Sequence, residues 1–385
     1  MTYLGLTWDH PRGYDALAEA ARRVNAGRAE RLIHWDKQPL EGFESAPIGD
    51  LAARHDLLVL DHPHIGEAVA EDCLIPLEEL YSSAQLAAWK AESVGPSLTS
   101  YHWGGKSWAL PLDVATQTMA RRPDRLATAP TDWDTVLQVA ERLPVAQSLA
   151  GPHAFLTLIS MVAGAGPWPR GPALLPEAET LSALSIMHRL YRGRPNGSET
   201  LNPIALSQAM AATDQIALVP LIFGYVTYAV AGAGRAPIAY SDTIRSQDGA
   251  GGVLGGTGIG FTRRTKPSAD LLDHIAWLMR PDTQAGFIPE FGGQPSARTA
   301  WRADPVNQAW GDFYTNTVET AEAALLRPRF DGFIAFQTGA AERIRRALAT
   351  GEDEFTTLQA LRADWTAARD RARGALDDDR GPNTP

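Results

Sequence analysis

The sequence predicts an α/β protein, built either as two domains or as one large one. Three observations carry that expectation. From the N-terminus onward, strand-like apolar runs alternate with amphipathic helix-like runs, the signature of a parallel α/β layer. Residues 56–61, Asp-Leu-Leu-Val-Leu-Asp, are almost continuously apolar, as a strand covered on both faces must be. The chain has 385 residues, 44% hydrophobic and 21% charged, an ordinary globular composition at a length beyond one typical core.

Taken in order, residues 3–8 form a short buried strand, and Asp9-His-Pro-Arg-Gly13 is a turn punctuated by Pro and Gly. Residues 14–26 make an amphipathic helix with Leu17, Ala20, Ala21 and Val24 on one side. Residues 31–35 are a second strand. The third, at 56–61, ends in Asp61-His-Pro-His64 and leads into a helix. In parallel sheets ligands bind at the carboxyl ends of the strands. The loops at 8–13 and 61–66 are therefore expected to face one cleft.

Residues 77–94 are helical with loops. The stretch 103–119 reads as a hairpin-like turn and then a strand that contains Pro111. Proline has no N–H for a ladder, so this strand lies at an edge or bends out of its sheet; we read it as a crossing between domains. A helix opens at 122–126, and another covers 134–142, with Thr131 or Asp132 as its N-cap. Helices follow at 151–165, 178–192 and 202–212, and strands at 216–222 and 236–240. The stretch 251–301 holds a short strand (258–262), a helix (268–279) and a second helix after Pro281. The pairs Gly255/Gly256 and Gly292/Gly293 flank this unit and let bare backbone come close to a ligand or another segment. Helices at 306–324, 333–348 and 354–376 complete the chain, with a polar tail at 377–385.

Bulk properties exclude several classes. The net charge of -10 gives no electrostatic case for nucleic acid or an anionic membrane. Basic charge is nearly all Arg; the lysines are Lys37, Lys90, Lys106 and Lys266. The single cysteine, Cys73, rules out an internal disulfide and a Cys-based zinc site. No apolar run approaches the ~20 residues of a membrane span. The chain enters its first strand without a basic region or a long apolar region of the signal-peptide kind. Gly256-Thr-Gly-Ile-Gly260 does not fit Gly-x-Gly-x-x-Gly, and neither a phosphate-binding Gly-x-x-x-x-Gly-Lys-Ser/Thr nor a Gly-x-Ser-x-Gly elbow occurs.

Four stretches, in order along nearly the whole chain, carry a family resemblance: TWDHPRGYDALAEA (7–20), GGKSWALPLDVATQTMARRPDRLATAPTDWDTVLQVA (104–140), DQIALVPLIFGYVTYA (214–229), and 251–301 with FYTNTVETAEAALLRPRF (313–330) after it. Together they resemble the extracellular solute-binding proteins of ABC importers, the sugar-binding group that includes maltose-binding protein. The resemblance implies a type II periplasmic-binding-protein fold, two α/β lobes joined by hinge strands, with a ligand held in the cleft by hinge closure. It implies an N-terminal lobe of residues 1–111 and 255–301, and a C-terminal lobe of residues 112–254 and 302–376. Crossings are expected at 110–114, at 251–256 and just after Trp301. It implies a monomer that serves a membrane permease, with no cofactor and no catalysis. By resemblance the location is periplasmic or extracellular; the N-terminus as written keeps a cytoplasmic location open.

The expected ligand is a small sugar, a polyol or a sugar acid, and the candidate binding residues follow from chemistry. Arg12 offers a planar set of donors suited to a carboxylate or vicinal hydroxyls. Neutral imidazoles of His10, His62 and His64 can both donate and accept. Asp61, Asp113 and Gln117 can accept from hydroxyls. Trp8, Phe223 and Tyr225 offer flat apolar faces to a sugar ring. Gly256, Thr257, Gly293 and Gln294 offer amides and polar side chains, and Trp168 is a candidate lid. Each has a structural alternative: a surface Arg, a His satisfied in a turn, an Asp capping a helix, an aromatic in the core. His62-Pro-His64 also has the spacing of paired metal ligands. The alternative function is a metal-dependent hydrolase or a glycosidase using His10, His62 and His64.

Overall fold

The structure, a computed structural model, describes residues 2–167, 174–232 and 234–372. Trp168 and the polar tail at 377–385 lie outside the described residues.

The strands are β1 (Tyr3–Trp8), β2 (Ile33–Gln38), β3 (Leu57–Leu60), β4 (His102–Trp103), β5 (Lys106–Ser107), β6 (Leu110–Arg121), β7 (Leu218–Phe223), β8 (Ala239–Ser241) and β9 (Leu254–Phe261). The helices up to the middle of the chain are α1 (Pro11–Asn25), α2 (Leu40–Ser45), α3 (Ile48–Ala52), α4 (Ile65–Ala70), α5 (Ser83–Glu92), α6 (Trp133–Ala140), α7 (His153–Ala165), α8 (Glu177–Arg192) and α9 (Pro203–Ala212). They continue as α10 (Ala269–Leu278), α11 (Ile288–Glu290), α12 (Arg298–Trp301), α13 (Asp304–Ala309), α14 (Val318–Glu322), α15 (Phe333–Thr350) and α16 (Glu354–Arg371).

Strand order is β2-β1-β3-β9-β6-β7, with β8 also paired to β6. β1 runs parallel to both β2 and β3, while β9 is antiparallel to both β3 and β6. β6 changes partners along its length: Leu110–Thr116 pairs with β9, and Gln117–Arg121 pairs with β7 and β8. The proline-bearing strand thus belongs to two sets of strands. A third passage runs beside it, where Gly251 N–H donates to Ala323 O and Val253 bridges Leu325 in parallel.

Burial explains the sheet. All four residues of β3 are buried. Leu57 and Val59 pack with Trp8, Ile33 and Ile259 on one face; Leu58 and Leu60 pack with Phe155, Phe333 and Trp365 on the other. That alternation is the period of a pleated strand covered on both sides.

Several elements differ from the sequence expectation. The helix expected at 306–324 is broken: α13 ends at Ala309, and Gly311 and Asp312 both take positive φ before α14 begins. The helix expected at 122–126 is a turn, held by Arg122 donating to Asp124 and to the carbonyls of Met210 and Thr213. After Pro281 the chain forms a wide turn, Thr283–Phe287, before the single turn of α11. Capping residues set other helix starts where expected, with Asp132 accepting from Thr135 N–H, Asn202 from Ala205 N–H and Ser268 from Leu271 N–H.

Candidate functional site

β1 and β3 are parallel neighbours, Gly5 opposite Leu57, so Trp8 and Leu60 end them at one edge of the sheet. The turn after β1 builds the first part of the site. His10 caps α1: its Nδ1 accepts from Arg12 N–H at 3.1 Å, which leaves the imidazole proton on Nε2. Burial, reinforced by the Arg12 charge, lowers the His10 pKa to about 4, so the ring is neutral at physiological pH. Its ring stacks on Trp8, with centroids 5.1 Å apart and planes within 8°, and meets the edge of Tyr225 at 5.0 Å. Trp8 is pinned from below by α1: a Cβ on Gly13 would sit 2.0 Å from Trp8 Nε1.

Arg12 points inward and is buried. Its Nε lies 2.9 Å from Asp113 Oδ1 and its Nη2 lies 2.5 Å from Asp113 Oδ2, a bidentate pair. Nη1 donates to Gly224 O at 3.2 Å, and the guanidinium carbon stands 4.7 Å from the Tyr225 ring centroid. Burial works against the Arg12 charge, but the charge and hydrogen bonds of Asp113 outweigh it and hold the pKa above its ordinary value. Arg12 therefore links α1, the β6–β9 ladder and the end of β7. Burial also pushes the Tyr225 hydroxyl up, away from ionisation.

Asp113 faces Arg12 because of a bulge: Pro111 pairs with Gly258 but Asp113 pairs with Thr257, so two residues oppose one. Gln294 braces this point. Its N–H donates to Asp113 Oδ1 at 3.1 Å, its Nε2 donates to Val114 O, and its Oε1 accepts from Val226 N–H. Phe223 lies against Gly255, whose missing Cβ would come 2.6 Å from the ring.

Three residues join this cluster without any sequence signal having marked them. Phe43 of α2 meets the Trp8 ring at 6.0 Å. Glu44, next along α2, places Oε1 3.3 Å from His153 Nε2 at the start of α7. The His153 ring in turn stands edge-on to Phe223 at 5.7 Å. Phe43 and Glu44 sit in a short helix with no polar or aromatic periodicity to flag it. His153 reads as one polar residue at the head of an otherwise apolar helix.

The remaining candidates sit elsewhere. Asp61 and His62 pair with each other and with Arg327. Asp61 accepts from Arg327 Nη2 and from its neighbour's N–H, and His62 Nε2 accepts from Arg327 N–H at 3.4 Å. Burial opposes the Asp61 charge, but Arg327 and His62 prevail and hold its pKa well below the carboxylate range. Burial first, and then Arg327, lowers His62 to about 4. His64 is buried with Nδ1 3.8 Å from Glu67. Tyr101, which donates to Leu60 O at 3.2 Å, feels the charges of both Asp61 and Asp113.

Gln117 faces the interior, accepting from Ser160 Oγ at 2.7 Å. Gly256, at φ +103, exists to let β9 pass Asp113 O. Thr257 is buried in the ladder, and Gly293 O accepts from Tyr314 OH at 3.0 Å. All four lie along the crossing, and the Thr257 hydroxyl has no hydrogen-bond partner there among the described residues. The three histidines of the alternative reading do not converge: His10 is stacked on Trp8, His62 is tied to Arg327, and His64 faces Glu67. Among the described residues no group of three or more His, Cys, Asp or Glu is placed to hold a metal ion.

A buried ion pair under stacked aromatics thus sits where β6 passes from one set of strands to the other. Residues 46–315 match the family model of bacterial extracellular solute-binding proteins, and the chain belongs to that family. The fold is that of solved solute-binding proteins. A protein of Agrobacterium radiobacter K84 crystallised with ribitol superimposes with a TM-score of 0.78 at 16% identity, over 95% of this chain and 98% of that one. The maltose-bound MalE3 of T. maritima gives 0.78 at 14% identity, over 95% and 99%. A protein of Agrobacterium vitis S4 with bound D-mannitol gives 0.73 at 15% identity, over 99% of each chain. A search of curated proteins finds no match. Among the described residues no helix is long and apolar enough to cross a membrane.

Proposed function

We propose that this protein captures a small sugar or polyol between two lobes and delivers it, unaltered, to the membrane permease of an ABC importer. The observation that carries the reading is the cluster of Trp8, His10, Arg12, Asp113 and Tyr225, drawn from the end of β1, the start of α1, β6 and the turn after β7. A polyol chain or sugar ring needs a flat apolar face and several donors and acceptors held at fixed positions. Trp8 and Tyr225 give the faces. His10 Nε2–H and the remaining Arg12 N–H groups donate, and the Asp113 carboxylate accepts.

The proposed lobes are residues 1–111 with 255–301, and residues 112–254 with 302–376. The partner exchange along β6 and the neighbouring β9 support two of the crossings. The parallel passage of 323–325 beside 251–254 supports placing the third crossing there rather than directly after Trp301, a shift that would carry residues 302–322 into the first lobe. The protein works outside the cytoplasmic membrane as a monomer, with neither catalysis nor cofactor. Support for the ligand class comes from the solute-binding fold neighbours bound to ribitol, maltose and D-mannitol.

A thermal-shift series with ribitol, D-mannitol and maltose tests the reading. Ligand at about 100 times its dissociation constant adds about 2.7 kcal/mol to the folded state, a rise of several degrees. No shift from any of the three, or release of a cleavage product from maltose, would overturn it.

A further inference from the structure

We infer that Asp113 sets the charge class of the ligand, closing the site to anions by occupying the guanidinium of Arg12 and leaving only neutral hydroxyl-rich molecules to enter. The inference rests on the assignment of this cluster as the ligand site and narrows it.

A lone buried arginine would be an anchor for a carboxylate or phosphate. Here the anchor is already taken. Of the five N–H donors of a guanidinium, Nε and one on Nη2 go to Asp113, and one on Nη1 goes to Gly224 O. Two N–H remain, which suits hydroxyl oxygens. The pair as a whole is neutral, and its carboxylate is held rigidly by Gln294 N–H at 3.1 Å. Among the described residues Arg12 is the only cation standing over the Trp8 or Tyr225 rings. His10 adds no charge at neutral pH, since its Nδ1 is engaged as an acceptor in the α1 cap. Glu44 adds a second carboxylate on the side of α2. Among the described residues an incoming carboxylate would find no free positive charge, and it would face Asp113 and Glu44 while losing its own hydration. A polyol meets no such obstacle.

The test compares ligands that differ in one oxidised carbon: ribitol with ribonate, and D-mannitol with mannonate, titrated calorimetrically into the full chain. The wild-type protein should bind each alcohol at least 10-fold more tightly than its acid. Equal or tighter binding of the acids overturns the inference with no variant needed. Asp113→Asn keeps an acceptor for Gln294 and Arg12 but frees the positive charge; it should gain at least 10-fold in affinity for ribonate. Arg12→Gln combined with Asp113→Asn should lose that gain. A folded Asp113→Asn protein, verified by near-UV circular dichroism, that shows no gain for ribonate also overturns the inference.

Acetate serves as a probe that is independent of the sugar. At fixed ionic strength it should raise the melting temperature of Asp113→Asn and leave the wild type unmoved. Should ribitol, D-mannitol and maltose all fail on the wild type, the ligand class is wrong. The acetate arm still decides the charge filter: stabilisation of the variant alone supports it, and stabilisation of both proteins or of neither sinks it.

Discussion

Gly13 and Arg12 show how much of the site depends on single side chains. The Trp8 indole occupies the space that any Cβ at position 13 would need, with Nε1 2.0 Å from that point. Gly13→Ala must push the indole off α1 or bend the helix. We expect a loss of about 1–3 kcal/mol in urea unfolding, together with at least 10-fold weaker polyol binding, because the stack with His10 is lost. Wild-type affinity in that variant would show that Trp8 does not contact ligand. Arg12→Met removes one partner of a buried ion pair and strands Asp113, which should cost about 3–5 kcal/mol in the same measurement. A cost under about 1 kcal/mol would mean that water reaches Asp113 and that the pair is not sealed.

Residue-scale legibility was uneven for physical reasons. Trp8 closes β1, His10 and Arg12 lie at the turn into α1, and Tyr225 follows β7 by two residues; strand ends are visible as the close of an apolar run. Asp113 was legible as a polar residue in a buried strand. The face it points to depends on the bulge at Pro111–Asp113, which a period-two reading cannot resolve. Gln117 went the other way: the same strand turns it toward Ser160 in the interior. Asp61 and His62 were legible as candidates because their loop follows β3, but their ion pair was not. Their partner, Arg327, lies more than 260 positions away, and no local pattern announces it.

α2 reaches from Trp8, through Phe43, to the head of α7, through Glu44 and His153. It therefore fastens the first part of the chain to the helix layer that also holds α8 and α15. Glu44→Gln weakens this clasp without changing shape. Because Glu44 is partly exposed, the pair contributes only about 0.5–1 kcal/mol. Stopped-flow tryptophan fluorescence should then show ligand dissociating a few-fold faster, with association unchanged. An unchanged dissociation rate in both Glu44→Gln and His153→Gln would place the clasp outside the closing motion.

The elements themselves were mostly legible. Alternation of strand and helix gave β1, α1, β2 and β3 in order, and Pro111 marked β6 as the strand that changes sheet partners. The one long helix misread, at 306–324, was broken by Gly311 and Asp312. Glycine there was a visible breaker, but a lone glycine inside a helical run is tolerated and does not by itself decide such a site.

At the scale of the whole molecule, buried neutral histidines tie stability to pH. His10, His62 and His274 each titrate at about 4 in the folded chain against an ordinary 6.5, chiefly because burial disfavours their charge. The unfolded chain takes up these protons first as pH falls, so the native state loses stability from about pH 6.5 down to about pH 4. Full protonation costs on the order of 3 kcal/mol per histidine. Urea midpoints measured from pH 7 to pH 4 should decline through that window; a flat profile would mean that these rings are solvated.

The Trp8–Arg12–Asp113–Tyr225 cluster lies where β6 passes from pairing with β9 to pairing with β7. A crystal structure of the protein grown with D-mannitol is the most direct check. The polyol is expected against the faces of Trp8 and Tyr225, with hydroxyls within hydrogen-bond distance of Arg12 and Asp113. A mannitol molecule bound instead at Asp61 and His62, or on the outer surface with this cluster unchanged and unoccupied, would contradict it.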